Sequence, residues 1–538
     1  MPENFNNLYR DLYENVDLLI GERKPEEPDV VEFFNGWPAA QILFTHIIAG
    51  SRIAIHTDVD MDGVGSCYIL RNWLLSCRND LIIDCWINKR KQHGIDVGKS
   101  NSFNNLPKEY KYDLIIILDS STNELEALKL LNCDVLVIDH HEVNVALEEL
   151  SGETQGRTRR RNPFDKNSSD DEKPCHYVVV NSLVDNLPNF KASDTMSAGL
   201  ATYEFLRYFQ TKFQLPDLLG ELKLYQWAVI TLYTDKMNND CPRNIYYIQK
   251  ARQMMDKEPG LSQMYDSLNC KSRFLSKSDI NFTLAPTFNT AIRAGYSKEA
   301  IDLALREPNK VGELRNYREI QQEALKDFDS NIDLHDDYVS KDITGEGKEN
   351  YAGLIAMKLL SKYNRTAIVY TKSEDGLTAS GSFRGLLDAM DYRLILENSG
   401  YYAQGHKTAF GFKFPVNEIE HIMHGLCTLE GQLKNVDYLT AGSLTEHGKH
   451  HIYDIKEFQS TGNLWKLGIL NSILSSDINI VISTKDITLK TVNAKGNYFT
   501  YDFNGVTVNS FEEITTPKAE MYVEHQDNLR IYLRNKYH

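Results

Sequence analysis

No stretch of this 538-residue sequence approaches the ~20 consecutive apolar residues that a membrane-spanning helix needs. The first residues, Met1 to Asp17, are polar and acidic and lack the apolar centre of a secretory signal. The expectation is a cytoplasmic protein without membrane contact. The eight cysteines (Cys67, Cys77, Cys85, Cys133, Cys175, Cys241, Cys270, Cys427) are scattered and form no C-x-x-C pair, which argues against a zinc ribbon and a disulfide framework. Positive charge is also scarce. The formal net charge of −16 opposes a broad, sequence-independent grip on nucleic acid, while leaving room for a local basic channel. No internal repeat is evident.

What remains is a globular composition, 42% hydrophobic and 25% charged. At ~100–200 residues per domain the chain holds three or four modules. Between Arg52 and Asn181 short apolar runs alternate with helical stretches (Gly65–Ser76, Glu124–Leu131). The runs are Ile53–Ile55, Leu81–Ile83, Leu114–Leu118, Val135–Ile138 and Tyr177–Val180. Continuous runs of this kind suit strands buried on both faces, so the fold class is α/β with a doubly wound parallel sheet. Residues Asn144 to Pro174 break the pattern, with Arg157, Arg159, Arg160 and Arg161 followed by Asp170, Asp171 and Glu172. They read as an exposed loop insertion. From Ser193 to Lys257 the chain reads as helical, with Ser193 or Asp194 as N-cap. Ser297 to Phe328 reads as one or two long helices that could bridge domains. A second, smaller α/β unit follows, with a helix at Tyr351–Tyr363 and strands at Thr366–Tyr370 and Leu377–Phe383. The last hundred residues are β-rich, with strands at Ile478–Ser483, Ile487–Val492 and Tyr498–Phe503. Asn504-Gly505 marks a hairpin, and a small barrel or sandwich fits.

The densest chemistry is His56-Thr57-Asp58-Val59-Asp60-Met61-Asp62-Gly63, directly after a buried strand. Three aspartates at alternate positions repel one another unless a cation sits among them. A calcium EF-hand loop also alternates aspartates. It needs glutamate at its twelfth position, and counting from Asp58 that position is Ile69, so this reading fails. Asp119 ends the run Leu114–Leu118, and Asp139-His140-His141 ends Val135–Ile138. Three strands thus bring carboxylate or imidazole to the edge where parallel sheets bind ligands. Buried charges need partners or metals, and a shared metal site follows.

These residues resemble the DHH phosphoesterase family. Asp139-His140-His141 matches its naming signature, His56, Asp58, Asp60 and Asp62 its first motif, Asp119 its second, and Asp235 its fourth. Further segments resemble the RecJ-type branch. They are Trp86–Arg90 with His93-Gly94, Leu284–Asn289 with Arg293, and Asn316, Arg318 and Gln321. Gly353–Ala356, Gly381-Ser382-Phe383-Arg384 and Gly405-His406 with Ala409 and Gly411 resemble its DHHA1 unit. Departures include Gln404 and Phe410 in the last loop, and no metal ligand is missing.

The resemblance implies residues 1–45 as an N-terminal extension, 46–270 as the DHH catalytic domain and 271–335 as a helical linker. Residues 336–430 would be the DHHA1 substrate domain, and 431–538 a β-rich module of possible oligonucleotide-binding type. It implies two divalent cations, Mn²⁺ preferred and Mg²⁺ the alternative. Asp119 would bridge them, His56 and Asp60 would hold the first, and Asp62, His140 and Asp235 the second. Asp58 and His141 would be auxiliary. Asp119, His140 and His141 carry the catalytic roles. Substrate contacts fall to Arg90, Asn289, Arg293, Ser382, Arg384, Gly405 and His406. The implied activity is 5′-to-3′ digestion of single-stranded DNA to mononucleotides through activated water. The alternatives are hydrolysis of short oligonucleotides (RNA among the substrates) or cyclic dinucleotides, and an inactive scaffold in a replication complex. Tyr498, Phe499, Tyr501 and Phe503 would stack bases if they face a groove, or fill the module's own core.

Overall fold

The computed structural model describes residues 15–536 apart from 20–22, 89–93, 96–102, 104–110, 159–171, 185–194, 254–255, 271, 273–274, 388–389, 436–442, 447–448, 453–460, 475–476, 494–497, 504 and 526–528. Among the described residues no helix is long and apolar enough to cross a membrane. The chain divides into two compact units, one spanning Asn15–Tyr317 and the other running on from Arg318.

The first unit is built on a six-stranded sheet. Its strands are β1 (Arg52–Thr57), β2 (Ile82–Ile87), β3 (Leu114–Leu118), β4 (Asp134–Asp139), β5 (Ser151–Thr158) and β6 (Lys173–Asn181), in the order β2-β1-β3-β4-β6-β5. Every neighbouring pair is parallel except β5 with β6. All five apolar runs read from the sequence are strands. For the central strands the reason is double-sided burial, all five residues of β3 being buried, whereas the edge strand β2 leaves Ile82 53% exposed. Alternate residues serve opposite faces. Ile115 and Ile117 join Ala54, Val135, Val137, Tyr177 and Val179 in one core. The opposite face is covered by helices α1 (Gly36–Ala49), α2 (Met61–Cys77) and, beyond a short α3 (Leu125–Lys129), α4 (Ala198–Lys212). Further helices are α5 (Tyr225–Thr234), α6 (Pro242–Gln253), α7 (Pro259–Ser267), α8 (Ala285–Arg293) and α9 (Ser297–Arg306).

Three expectations are corrected here. Part of the supposed loop at Asn144–Pro174 is the edge strand β5, antiparallel to β6. It has no apolar run because it packs through small residues. A Cβ at Gly152 would lie 2.8 Å from the Tyr177 ring, and one at Gly156 2.5 Å from the Asn132 carbonyl carbon. Arg159, Arg160, Arg161, Asp170 and Asp171 lie outside the described residues. The N-cap of α4 is Ser197, whose hydroxyl accepts the Leu200 N–H; Ser193 and Asp194 lie outside the described residues. The connection from Ser297 is no long helix. It is α9, a 3₁₀ stretch Pro308–Tyr317, and α10 (Arg318–Ala324). Pro308 cannot continue a helix, since it lacks the N–H and its ring crowds the preceding turn.

The second unit holds two sheets. One joins β7 (Asp333–Leu334), β8 (Tyr338–Asp342), β9 (Thr366–Lys372), β10 (Thr378–Arg384), β11 (Tyr402–His406) and β12 (Ala409–Pro415), ordered β11-β12-β10-β9-β8-β7. Strand β9 shows the period-two logic: Ala367 and Val369 pack with α11 (Ala352–Tyr363), while Ile368 and Tyr370 pack on the other face with Phe383, Phe412 and Phe414. The C-terminal region is β-rich as expected, its strands forming one eight-stranded sheet. In it Phe499, Tyr501 and Phe503 alternate inward and are buried at 8%, 5% and 3% exposure. They fill the core, so the base-stacking reading of these three is corrected. Tyr498 is half-buried. The hairpin after Phe503 forms, with Gly505 at φ +82°; Asn504 lies outside the described residues.

Candidate metal centre

Because β1, β3 and β4 are adjacent and parallel, their carboxyl ends meet on one edge of the sheet. Just past β1, Asp60 caps α2, its Oδ1 accepting the N–H groups of Asp62 (2.9 Å) and Gly63 (3.1 Å). The turn is tight enough to require glycine at 63, where a Cβ would stand 2.6 Å from the Asp58 carbonyl oxygen. Asp62 then sits in the first turn of α2, 1% exposed. Its carboxylate accepts the Ala198 and Gly199 N–H groups, each at 2.8 Å. These are the orphan donors that open α4, so one helix start holds a carboxylate delivered by another. The approach is close: a Cβ at Gly199 would lie 2.3 Å from Thr231 Oγ1 on α5, and one at Gly65 2.4 Å from Thr231 Cγ2.

Asp119 leaves β3 in the left-handed region, φ +63°, a conformation that aspartate tolerates better than most residues. Asp235 follows the last turn of α5. His140 joins the pieces. Its Nε2 lies 3.3 Å from Asp119 Oδ1, 3.5 Å from Asp235 Oδ2 and 3.7 Å from Asp62 Oδ2. Three sets have donor atoms mutually within 4.8 Å: Asp62, His140 and Asp235; Asp119, His140 and His141; and Asp58, Asp60 and Asp119. Asp119 and His140 each belong to two of them. His56 is buried on β1, its ring edge-on to Phe103 at 6.1 Å, and stands in none of the three sets.

Asp139 does not point to this cluster. It accepts from Thr122 N (3.2 Å), Thr122 Oγ1 (2.7 Å), His140 N (2.7 Å), His141 N (3.3 Å) and His141 Nδ1 (2.8 Å). It therefore fixes the backbone and ring of the two histidines, as carboxylates behind ligand histidines do. Asn181 completes the support, donating to Thr122 Oγ1 and the His141 carbonyl, both at 2.9 Å.

The electrostatics follow from packing carboxylates away from water. Burial pushes Asp62 up to about 8, with Asp235 and Asp60 adding to the effect and His140 opposing it. Burial and then Asp60 push Asp235 up to about 7. Burial, with Asp62, Asp60 and Asp58, raises Asp119 as well. Burial and the neighbouring His141 lower His140, which keeps its imidazole neutral and able to donate a lone pair to a metal. Burial opposes a charge on His141, but the Asp139 carboxylate outweighs it and raises the pKa. Carboxyls crowded until they resist ionising are the environment that a divalent cation relieves, and mixed oxygen and imidazole donors suit Mn²⁺ or Mg²⁺. The residues present fit such ions.

The sequence-predicted substrate residues fall in both units. Arg90 lies outside the described residues. Asn289 and Arg293 are half-buried on α8 of the first unit. In the second unit Ser382, Arg384, Gly405 and His406 converge at one end of the sheet, because Arg384 pairs across to Ala409 and Ala409 to His406. Arg384 donates to Ser382 Oγ at 2.9 Å and rests where a Cβ on Gly353 would be, 2.8 Å from its Nη2. Gly405, at φ +137°, occupies a conformation reserved for glycine. Sequence reasoning assigned no role to Asp139, Thr122, Asn181 or the Ala198 and Gly199 amides. The one local signal was Ser197, a good N-cap just ahead of those amides.

Residues 52–155 match the model of the DHH family, N-terminal domain. The chain is 23% identical over 455 residues to YorK, a candidate single-strand DNA-specific exonuclease of the SPbeta prophage in Bacillus subtilis, covering 74% of this chain and 70% of YorK. It is also 23% identical over 407 residues to the single-stranded-DNA-specific exonuclease RecJ of Escherichia coli, covering 69% of this chain and 64% of RecJ. Among solved structures, RecJ from Thermus thermophilus in complex with Mn²⁺ superposes with a TM-score of 0.66 at 15% identity, covering 98% of this chain and 76% of that one. The Mg²⁺ complex of the Thermus protein gives 0.61 at 16% identity, with coverages of 98% and 75%. These structural likenesses establish the fold.

Proposed function

We propose that this chain, a DHH-family protein of the RecJ type, is a divalent-metal-dependent phosphodiesterase that digests single-stranded DNA from the 5′ end to mononucleotides. The observation that carries the reading is the convergence of Asp62, Asp119 and Asp235 within 3.7 Å of one neutral imidazole nitrogen, with Asp58 and Asp60 close to Asp119. The E. coli relative acts on single-stranded DNA by its name, and the Thermus protein binds Mn²⁺ and Mg²⁺.

Asp62, His140 and Asp235 would hold one ion and Asp58 and Asp60 the other, with Asp119 shared and His56 behind the second group. Two such ions supply an acidified water as nucleophile and neutralise charge on the phosphodiester. The chain's own residues do the rest. The Ala198 and Gly199 amides keep Asp62 in place without drawing it away from the cluster. Asp139 holds His141 protonated at the half-exposed rim, its side chain 46% exposed, where it can meet a phosphate oxygen or protonate the leaving oxygen. Arg384, Ser382 and the Gly405-His406 turn are suited to a phosphate end, since a guanidinium pairs with phosphate in a fork and glycine lets backbone approach it.

The test is digestion of 5′- and 3′-labelled single strands of graded length, with Mn²⁺, Mg²⁺ or chelator, and with cyclic dinucleotides alongside. Mononucleotide release from the 5′ end, absent in chelator, supports the proposal. Cutting confined to cyclic or two-to-four-residue substrates would replace it with the short-substrate activity. Inertness on every phosphodiester would leave a scaffold.

A further inference from the structure

We infer that Cys67 and Cys85 are an oxidation site, at which a hydroperoxide closes a reversible disulfide that ties helix α2 to the edge strand β2. The site is separate from the metal centre, and the inference does not depend on the nuclease reading.

The two cysteines stand 18 positions apart, so no C-x-x-C spacing announces them. The fold brings them together. Cys67 lies on α2, five residues after Asp62, and is wholly buried. Cys85 lies on β2, on the same side of the strand as the buried Ile83, at 6% exposure. The Cys67 S–H donates to the Cys85 sulfur across 3.4 Å. A disulfide holds its sulfurs ~2.05 Å apart, so the pair has ~1.4 Å to close, a distance that rotation of two side chains can share. The bond would fasten the helix that opens with Asp60 and Asp62 to the rim of the sheet.

Buried cysteines are ordinarily inert, because an apolar site disfavours the reactive thiolate. This pair has charged surroundings instead. Helix α9 packs on both α2 and β2 and brings Lys298 and Arg306 within electrostatic range of Cys85. Arg71, one turn beyond Cys67 on α2, adds a third cation; its Nε is buried and has no hydrogen-bond partner among the described residues. Asp302 pairs with Lys298 at 2.6 Å and with Arg306 at 3.9 Å, so three positive groups face one negative group. The Cys67 S–H, and then Arg71, Lys298 and Arg306, hold the Cys85 thiol below its ordinary value against the effect of burial. That same hydrogen bond, and burial, raise Cys67. The roles divide accordingly. The Cys85 thiolate attacks one peroxide oxygen and the O–O bond breaks. The departing hydroxide takes up a proton as water, and Cys85 is left as a sulfenic acid. The Cys67 sulfur then attacks the Cys85 sulfur, the S–O bond breaks, and the oxygen leaves as water with the Cys67 proton. Two thiols and one hydrogen peroxide give one disulfide and two waters.

The experiment treats the reduced, folded full chain with hydrogen peroxide in chelator, alkylates the remaining thiols, and maps the peptides by mass spectrometry. Two of the eight thiols should be lost, in a cross-linked peptide pair holding Cys67 and Cys85 that dithiothreitol separates. In Cys67→Ser the reaction should stop at a sulfenic acid on Cys85, captured by dimedone. In Cys85→Ser, Cys67 should stay a free thiol. The wild-type map decides the main point without either variant. If Cys77 and Cys270, the two less buried cysteines, oxidise while Cys67 and Cys85 are still alkylated as thiols, the inference is overturned. A cross-link that appears only after urea unfolding overturns it equally, and leaves the pair as core packing. A dimedone adduct on Cys67 in Cys85→Ser, with none on Cys85 in Cys67→Ser, would overturn the order of attack.

Discussion

Replacing Asp119 by asparagine should make the metal-free protein more stable while removing its response to metal. Asp119 has carboxylate neighbours within 4.8 Å in Asp58 and Asp60. At an effective dielectric of ~20, two unit charges at that separation repel by ~3.5 kcal/mol. Protons taken up by the cluster relieve part of this, and the lost contact with His140 at 3.3 Å subtracts ~1 kcal/mol. A gain of about 2 kcal/mol remains. Asparagine accepts the left-handed backbone at φ +63°, so no strain is added. In a unit spanning Asn15–Tyr317 that gain raises Tm by roughly 3 °C. The assay is thermal unfolding in chelator at alkaline pH, then with excess Mn²⁺. Wild type should gain stability from Mn²⁺ and Asp119→Asn should gain little. A variant that melts below wild type in chelator, or that still takes up the full Mn²⁺ stabilisation, would refute the reasoning.

Other outcomes follow from the same geometry. Asp62 and Asp235 have folded-state pKa values of about 8 and about 7, above the ordinary 3.8 of an unfolded aspartate. Their stabilising contribution is therefore complete below ~pH 4 and is lost as pH rises through those values. The chelated protein should lose Tm between roughly pH 5 and pH 8, and the Mn²⁺ gain should widen over that range; a flat profile would contradict the burial argument. Asp139→Ala strands His141 and the Thr122 hydroxyl, and urea unfolding should show a loss of ~3–5 kcal/mol together with loss of turnover. Gly199→Ala drives a Cβ to 2.3 Å from Thr231 Oγ1 and should cost ~1–3 kcal/mol in the same assay while displacing Asp62, so its Mn²⁺ affinity falls too. Tyr501→Ala should destabilise the second unit by ~3–5 kcal/mol and leave strand affinity per folded molecule unchanged, because its ring packs inward.

What was legible in the sequence was whatever repeats locally. Five strands announced themselves as continuous apolar runs, the central ones because both of their faces are covered, and aspartates at three strand ends pointed to one sheet edge because parallel neighbours share a direction. What was hidden depended on distant partners. Strand β5 is polar, and its glycines make sense only against the Tyr177 ring and the Asn132 carbonyl. The hold on Asp62 comes from amides more than a hundred residues away, and no local pattern encodes that. Asp139 stands in the signature beside two histidines, but the sequence does not tell its role, because its side chain is consumed by hydrogen bonds to its own turn and to the distant Thr122. The grouping of Asp58, rather than His56, with Asp60 and Asp119 is likewise a matter of side-chain direction, which spacing does not give. A helix interrupted at Pro308 was foreseeable from that proline alone.

The most direct test of the central claim is anomalous X-ray scattering at the manganese edge from crystals of the active protein soaked in Mn²⁺. Two peaks are expected inside the cluster, one among Asp62, His140 and Asp235 and one beside Asp58 and Asp60, with Asp119 touching both. No peak there, in protein that still cleaves DNA, would contradict the account.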